Sequence, residues 1–283
     1  MRWEGREQST NIEDRRSQGS GGGGKKGPGI IGIIVLLVGA YYGVDLSGIV
    51  GGVGNGTTVQ SSQTSQLDSK LESQLRALSG VVLADTEKVW SAYFKKHNAK
   101  YEPTIMTLYT GGTQTGCGYG QAAVGPFYCP NDKRVYLDLS FYEEMRNKLG
   151  AEGDTAFAYV IAHEVGHHVQ NLTGILPQVH QAQQGLSKAK ANELSVKLEL
   201  QADCYAGIWG NYAAAQGLFE QNDLEEAFNA AEAVGDDRLQ KQSQGYIVPD
   251  SFTHGTSAQR LSWFKRGLQS GDPAQCDTFA ANN

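Results

Sequence analysis

The sequence predicts an α+β domain carried behind one membrane-spanning helix. Three observations point there. Residues 28–44 carry no charge, residues 104–139 mix β-branched and aromatic residues with glycine-rich breaks, and residues 156–172 and 189–215 show a helical period. The chain has 283 residues and a net charge of −6, with no basic cluster in its soluble part, so a nucleic-acid partner is not expected.

Residues 1–27 hold Arg2, Arg6, Arg15, Arg16, Lys25 and Lys26 and end in a Gly/Ser tract, a composition expected of a flexible cytoplasmic tail. The run PGIIGIIVLLVGAYYGV follows, and the anchor is placed at residues 28–53. Its seventeen uncharged residues reach about 26 Å as a helix, close to the roughly 30 Å hydrocarbon core. Lys25 and Lys26 precede the run, and the next basic residue after it is Lys70. This asymmetry predicts a cytoplasmic amino terminus and a domain that is periplasmic or extracellular. Residues 54–75 are rich in Gly, Ser, Thr and Gln and read as a linker, leaving residues 76–283 as the folded domain.

Within that domain, residues 81–94 have the apolar period of a packing helix. Strands are expected at 104–109, 121–124, 127–129 and 134–139, with a turn at 130–133 and a short helix at 141–149. The glycine-rich stretch 118–124 suits an exposed edge onto which an extended peptide could add by main-chain hydrogen bonds. Residues 156–172 contain HEVGH, with Asp154 as a possible N-cap and Gly174 just past the end. His163 and His167 are four apart and share a helix face, so they can hold one cation together. Glu164 then sits toward the open side of that cation, where it can take a proton from water.

A catalytic zinc takes three protein ligands, and this chain has Thr173 where a third histidine of the extended motif would stand. The second long helix supplies ELQAD, with Glu199 and Asp203 on one face. Glu199 completes a two-His, one-Glu set for a single Zn²⁺, and Asp203 can accept the N–H of His163. His168 lies about 100° round the helix from His167 and is not expected to be a ligand.

The chain has four cysteines, Cys117, Cys129, Cys204 and Cys276, and no CxxC pair. In an exported domain they suggest two disulfides, and although three pairings are open, 117 with 129 and 204 with 276 is favoured. The first closes a local loop, and the second ties the carboxy-terminal tail to a long helix.

HEVGH with a downstream ELQAD resembles the gluzincin metallopeptidases. The segments MRWEGREQSTNIEDRR, GPFYCPNDKRVYLDLSF, VPDSFTHGTSAQRLSWFKRG and SGDPAQCDTF are similar to the bacterial neutral zinc metallopeptidase family (YpfJ-like) over nearly the whole chain. That resemblance implies a zincin-like fold and a membrane-anchored peptidase with Zn²⁺ on His163, His167 and Glu199, Glu164 as general base, and a peptide or protein substrate. A looser similarity to membrane-associated gluzincins such as HtpX and the CAAX prenyl protease implies that His254 assists the oxyanion and Arg260 supports the site. Gly255 stands where those enzymes have proline. The alternative from another class is a zinc-stabilised binding or scaffold module at the membrane that cleaves nothing. A closed fourth ligand position, or no groove beside residues 118–124, would favour it.

Overall fold

The computed structural model describes residues 1–17 and 67–280. Two sheets and a helical layer are built in chain order. Strand β1 is Ile12–Asp14, and helix α1 runs Ser69–Lys96. Strands β2 (Ile105–Tyr109), β3 (Gly112–Thr115), β4 (Gly118–Gln121), β5 (Phe127–Cys129) and β6 (Arg134–Asp138) follow. The short helix α2 (Phe141–Glu144) continues as a wide turn, Met145–Leu149. Then come α3 (Asp154–Leu172), α4 (Ile175–Gln183), α5 (Lys188–Ala215), α6 (Asp223–Ala233), α7 (Asp236–Gln244) and α8 (Ser257–Ser270). The α+β class holds, with a small open sheet ordered β1-β2-β6-β5 and a separate β3–β4 hairpin.

The core lies where α3 packs between the sheet, α1, α5 and α6. Every residue of α3 from Thr155 to Gln170 is buried, so burial extends right round the helix and takes in the polar residues of its second half. Helix α5 is likewise buried from Leu198 to Gly210. Two glycines let α5 and α8 touch along their backbones. A Cβ on Gly267 would stand 1.9 Å from the Cys204 carbonyl oxygen, and one on Gly207 would stand 2.1 Å from that of Phe264. The Cys204–Cys276 disulfide closes the same region, and Cys117–Cys129 ties the β3–β4 turn to β5. These are the favoured pairings.

Several expectations change. Residues 121–124 are not a strand: β4 ends at Gln121, and Ala122–Val124 form a single helical turn closed by Gly125. The chain instead folds 112–121 into a hairpin, with Thr115 bonding both arms of its turn. The connection after Gly174 contains α4, whose Leu176 and Val179 are buried. Helix α1 starts seven residues before the expected boundary at 76, because Asp68 caps it by accepting from the Lys70 amide. Asp154 opens α3 as its first residue rather than capping it, and its carboxylate accepts the indole N–H of Trp3 at 2.6 Å.

The largest change concerns the amino terminus. Residues 1–17 belong to the fold instead of forming a flexible tail. Strand β1 pairs in parallel with β2, placing Ile12 opposite Met106, and Trp3 is buried against the core. The arginines that suggested a solvated tail are paired: Arg6 with Asp85, Arg15 with Glu13, and Arg16 with Asp14 and Glu72. Composition could not show this, because Asp85 and Glu72, which pair with Arg6 and Arg16, lie on α1, more than fifty residues downstream. Residues 1–17 pack as part of the domain, which corrects the expected flexible tail over this stretch. Two hydrogen-bonded strands cannot lie on opposite sides of a bilayer. The expected anchor at 28–53 and most of the linker fall outside the described residues. No helix among the described residues is long and apolar enough to cross a membrane.

Two measurements test this architecture. Single cysteines at the exposed positions Glu4 and Glu152 should react alike with a membrane-impermeant maleimide in intact cells, both labelled or both protected; labelling of one alone would overturn the packing of residues 1–17. Gly267→Ala should lower stability by about 1–3 kcal/mol in denaturant titrations, because the helices must separate to admit the methyl group.

Candidate metal centre

Helix α3 presents His163 and His167 one turn apart, and α5 crosses it to bring Glu199 opposite them. Gly166, inside HEVGH, permits that crossing: a Cβ there would lie 3.2 Å from the Ala202 backbone. The two Nε2 atoms stand 3.1 Å apart. Glu199 places Oε2 at 3.1 Å from His163 Nε2 and Oε1 at 3.4 Å from His167 Nε2. All three residues are buried, and their ligand atoms form one cluster suited to a metal ion.

Their hydrogen bonds decide which atoms face inward. His163 Nδ1 is 2.8 Å from Asp203 Oδ1, a carboxylate oxygen held by Arg260, so Nδ1 carries the proton. His167 Nδ1 is 2.9 Å from Gln170 Oε1. The Gln170 amide nitrogen donates to the Leu198 carbonyl and to Gln201 Oε1, which fixes Oε1 as an acceptor and His167 Nδ1 as a donor. With both Nδ1 protons directed outward, two Nε2 lone pairs and a carboxylate converge and repel one another unless a proton or a metal ion lies between them. A cation resolves that repulsion. Zinc bonds of about 2.0–2.2 Å put tetrahedral ligands roughly 3.3–3.6 Å apart; the separation of 3.4 Å lies in that range and the two of 3.1 Å fall just short of it. The donor set therefore fits one Zn²⁺.

Electrostatics point the same way. Burial opposes charge on His163, but the Asp203 and Glu199 carboxylates outweigh it and push the imidazole up to about 10. An environment that favours a proton this strongly also favours a metal cation. Burial alone would raise Glu199, yet His167 and His254 hold it well below the usual carboxylate range. Burial raises Glu164, which lines the cleft beside the ligands.

Behind His163 lies a buried network. Arg260 grips Asp203 through Nε to Oδ2 at 2.8 Å and Nη2 to Oδ1 at 2.9 Å, and also donates to the Val234 carbonyl. The Tyr159 hydroxyl donates to Asp203 Oδ1 at 2.6 Å. His254 lines the same cleft. Its loop is clamped by Asp236, whose Oδ2 accepts the amides of Thr253, His254 and Gly255 at 2.8, 2.6 and 3.0 Å. His168 is fully buried away from the ligands, between the Tyr128 hydroxyl and the Glu102 carbonyl.

The structure thus brings His163, Glu164, His167, Glu199, Asp203, His254 and Arg260 to one place. The cysteines serve elsewhere as the two disulfides, although Cys117 borders the mouth of the cleft. Sequence reasoning missed Gln170, Tyr159 and Asp236. Gln170 carries a local signal, three residues after His167 on the same helix. Asp236 has none, because only the fold sets it against residues 253–255.

Asp203→Asn should weaken zinc binding by about 10–100-fold, read by competition with a chromophoric chelator, since it disturbs the group that orients His163. Unchanged affinity in folded protein would detach Asp203 from the site.

Comparison with known proteins agrees with this geometry. The family model described as "Putative neutral zinc metallopeptidase" matches residues 1–279. The Escherichia coli (strain K12) "Uncharacterized protein YpfJ" is 55% identical over 288 aligned residues, covering 99% of each chain. The Mycobacterium tuberculosis (strain H37Rv) "Uncharacterized protein Rv2575" is 45% identical over 192 residues, 64% of each chain. No solved structure matches. With its residues aligned to the family from end to end and its ligand cluster formed, this chain belongs to the neutral zinc metallopeptidase family.

Proposed function

We propose that the site hydrolyses peptide bonds, with Glu164 as the proton carrier and His254 as a donor to the oxyanion. The observation that carries this reading is the pairing of a three-ligand zinc set with an uncommitted carboxylate on an open cleft. A site kept for folding needs only the ligands. When bound, Zn²⁺ acidifies water and polarises a carbonyl.

Glu164 adjoins His163 in sequence and faces the cleft that the ligands line. Burial raises its affinity for protons, as a general base working near neutral pH requires. It takes the proton of the attacking water and hands it to the leaving amine nitrogen. His254, held by Asp236, is favoured in its charged form by Glu199 and Asp236 against the cost of burial. It can donate to an oxygen that gains negative charge in the transition state. Asp203 is fully buried behind His163, and together with Arg260 it holds that imidazole in the orientation and tautomer that leave Nε2 free for metal.

Residues 118–120 of the β3–β4 hairpin border the cleft. β4 pairs on one side with β3, and an extended peptide adding to its other edge would pass in front of the ligands. The apolar run 28–53 is the segment that would attach the enzyme to a membrane. The two disulfides suit an oxidising compartment, the periplasm or the cell exterior.

Glu164→Gln should keep one zinc per chain by elemental analysis and lower kcat on an unfolded protein substrate by about 10²–10⁴-fold. Turnover at the wild-type rate in this variant would remove Glu164 from the mechanism.

A further inference from the structure

The walls of the cleft say what kind of chain enters it. The cleft has a volume of about 260 Å³ and opens beside residues 118–120, so side chains of an extended peptide passing that edge can enter it. Among the described residues that line it, the charged carboxylates and guanidinium are Glu164, Glu199 and Arg260. Each is engaged elsewhere: Glu199 in the ligand set, Arg260 on Asp203, and Glu164 as the base, while His254, which also lines the cleft, is paired with Asp236. The other side chains are largely aliphatic or aromatic.

Six of them come from separate parts of the chain: Val124 and Phe127 beside the hairpin, Phe141 on α2, Leu149 in the wide turn, Val234 after α6, and Leu239 on α7. All six are only partly buried. Half-exposed apolar residues are unremarkable singly, but here they gather round one opening, beside Val160, one turn before His163 on α3. A charged side chain entering this ring would lose its hydration and meet no free opposite charge. An apolar one would be desolvated against apolar walls.

Resting on the peptidase reading above, we infer that this cleft selects peptides carrying a large aliphatic or aromatic residue beside the scissile bond and rejects those with a charged residue there. Leu239 is a specificity-determining position: it is half-exposed on α7 and takes no part in holding metal or moving protons.

The test digests an unfolded casein with the zinc-loaded full-length protein and maps the cut sites by mass spectrometry. Cuts flanked by Leu, Ile, Val, Phe or Met should exceed those flanked by Asp, Glu, Lys or Arg by about 10-fold or more, after correction for abundance, a range that apolar pockets can reach. Leu239→Asp, with zinc content unchanged, should erase that preference and favour Lys or Arg instead. Cuts without preference, or at charged residues, would overturn the inference while leaving the peptidase intact.

If the wild type cuts nothing, the peptidase reading fails, and binding decides the inference separately. A Leu-rich peptide should then bind zinc-loaded Glu164→Gln at least about 10-fold more tightly than its Lys-substituted counterpart. Equal binding would dispose of the apolar cleft as well.

Discussion

Three lone-pair donors aimed at one point repel one another unless a cation lies between them, and the rest of this structure exists to hold them there. His163, His167 and Glu199 converge within hydrogen-bond distance, yet the protons on both imidazoles are directed outward, to Asp203 and Gln170. Neither histidine sets its own tautomer. Arg260 fixes Asp203, and the Leu198 carbonyl and Gln201 fix the Gln170 amide. A buried ion pair such as Arg260–Asp203 contributes little net stability once desolvation is counted. Its value here is orientation.

That orientation depends on helix packing with almost no slack. Helix α3 carries two ligands, α5 the third, and α8 the arginine behind them. The approach of α3 to α5 runs through Gly166, and that of α5 to α8 through Gly207 and Gly267. The Cys204–Cys276 disulfide, with Gln201 donating to the Cys276 carbonyl, ties the end of the chain to the turn of α5 that bears Asp203. Close backbone contact and covalent closure therefore act on the helical turns that carry the site.

The amino-terminal segment extends the same logic to the far side of the domain. Trp3 bonds to Asp154 in the first turn of the metal-binding helix, and β1 completes an edge of the main sheet. Ser9 and Asn11 both donate to Glu87 on α1. Residues 1–17 thus bridge the start of α3, the middle of α1 and the edge of β2. The match of the family model from residue 1 is consistent with a segment that belongs to the domain.

The ligands were legible in the sequence because their geometry is local. Spacing of four on a helix puts His163 above His167 and Glu199 above Asp203 whatever surrounds them. The long helices, the strands at 105–109, 127–129 and 134–138 and the favoured disulfides were also readable, from periodicity, turn residues and loop closure. The rest was not, and for one physical reason. Whether residues 1–17 are a tail or a strand depends on a partner about ninety residues away, and their charges look the same solvated or paired. Asp236 became the clamp of His254, Gln170 the partner of His167, and six scattered apolar residues the rim of one cleft only when the chain closed. Local spacing determined which atoms could bind a metal; tertiary packing decided where their protons point and what the cleft around them can admit, because hydrogen-bond partners and shared walls are set by contacts between residues that the sequence keeps apart.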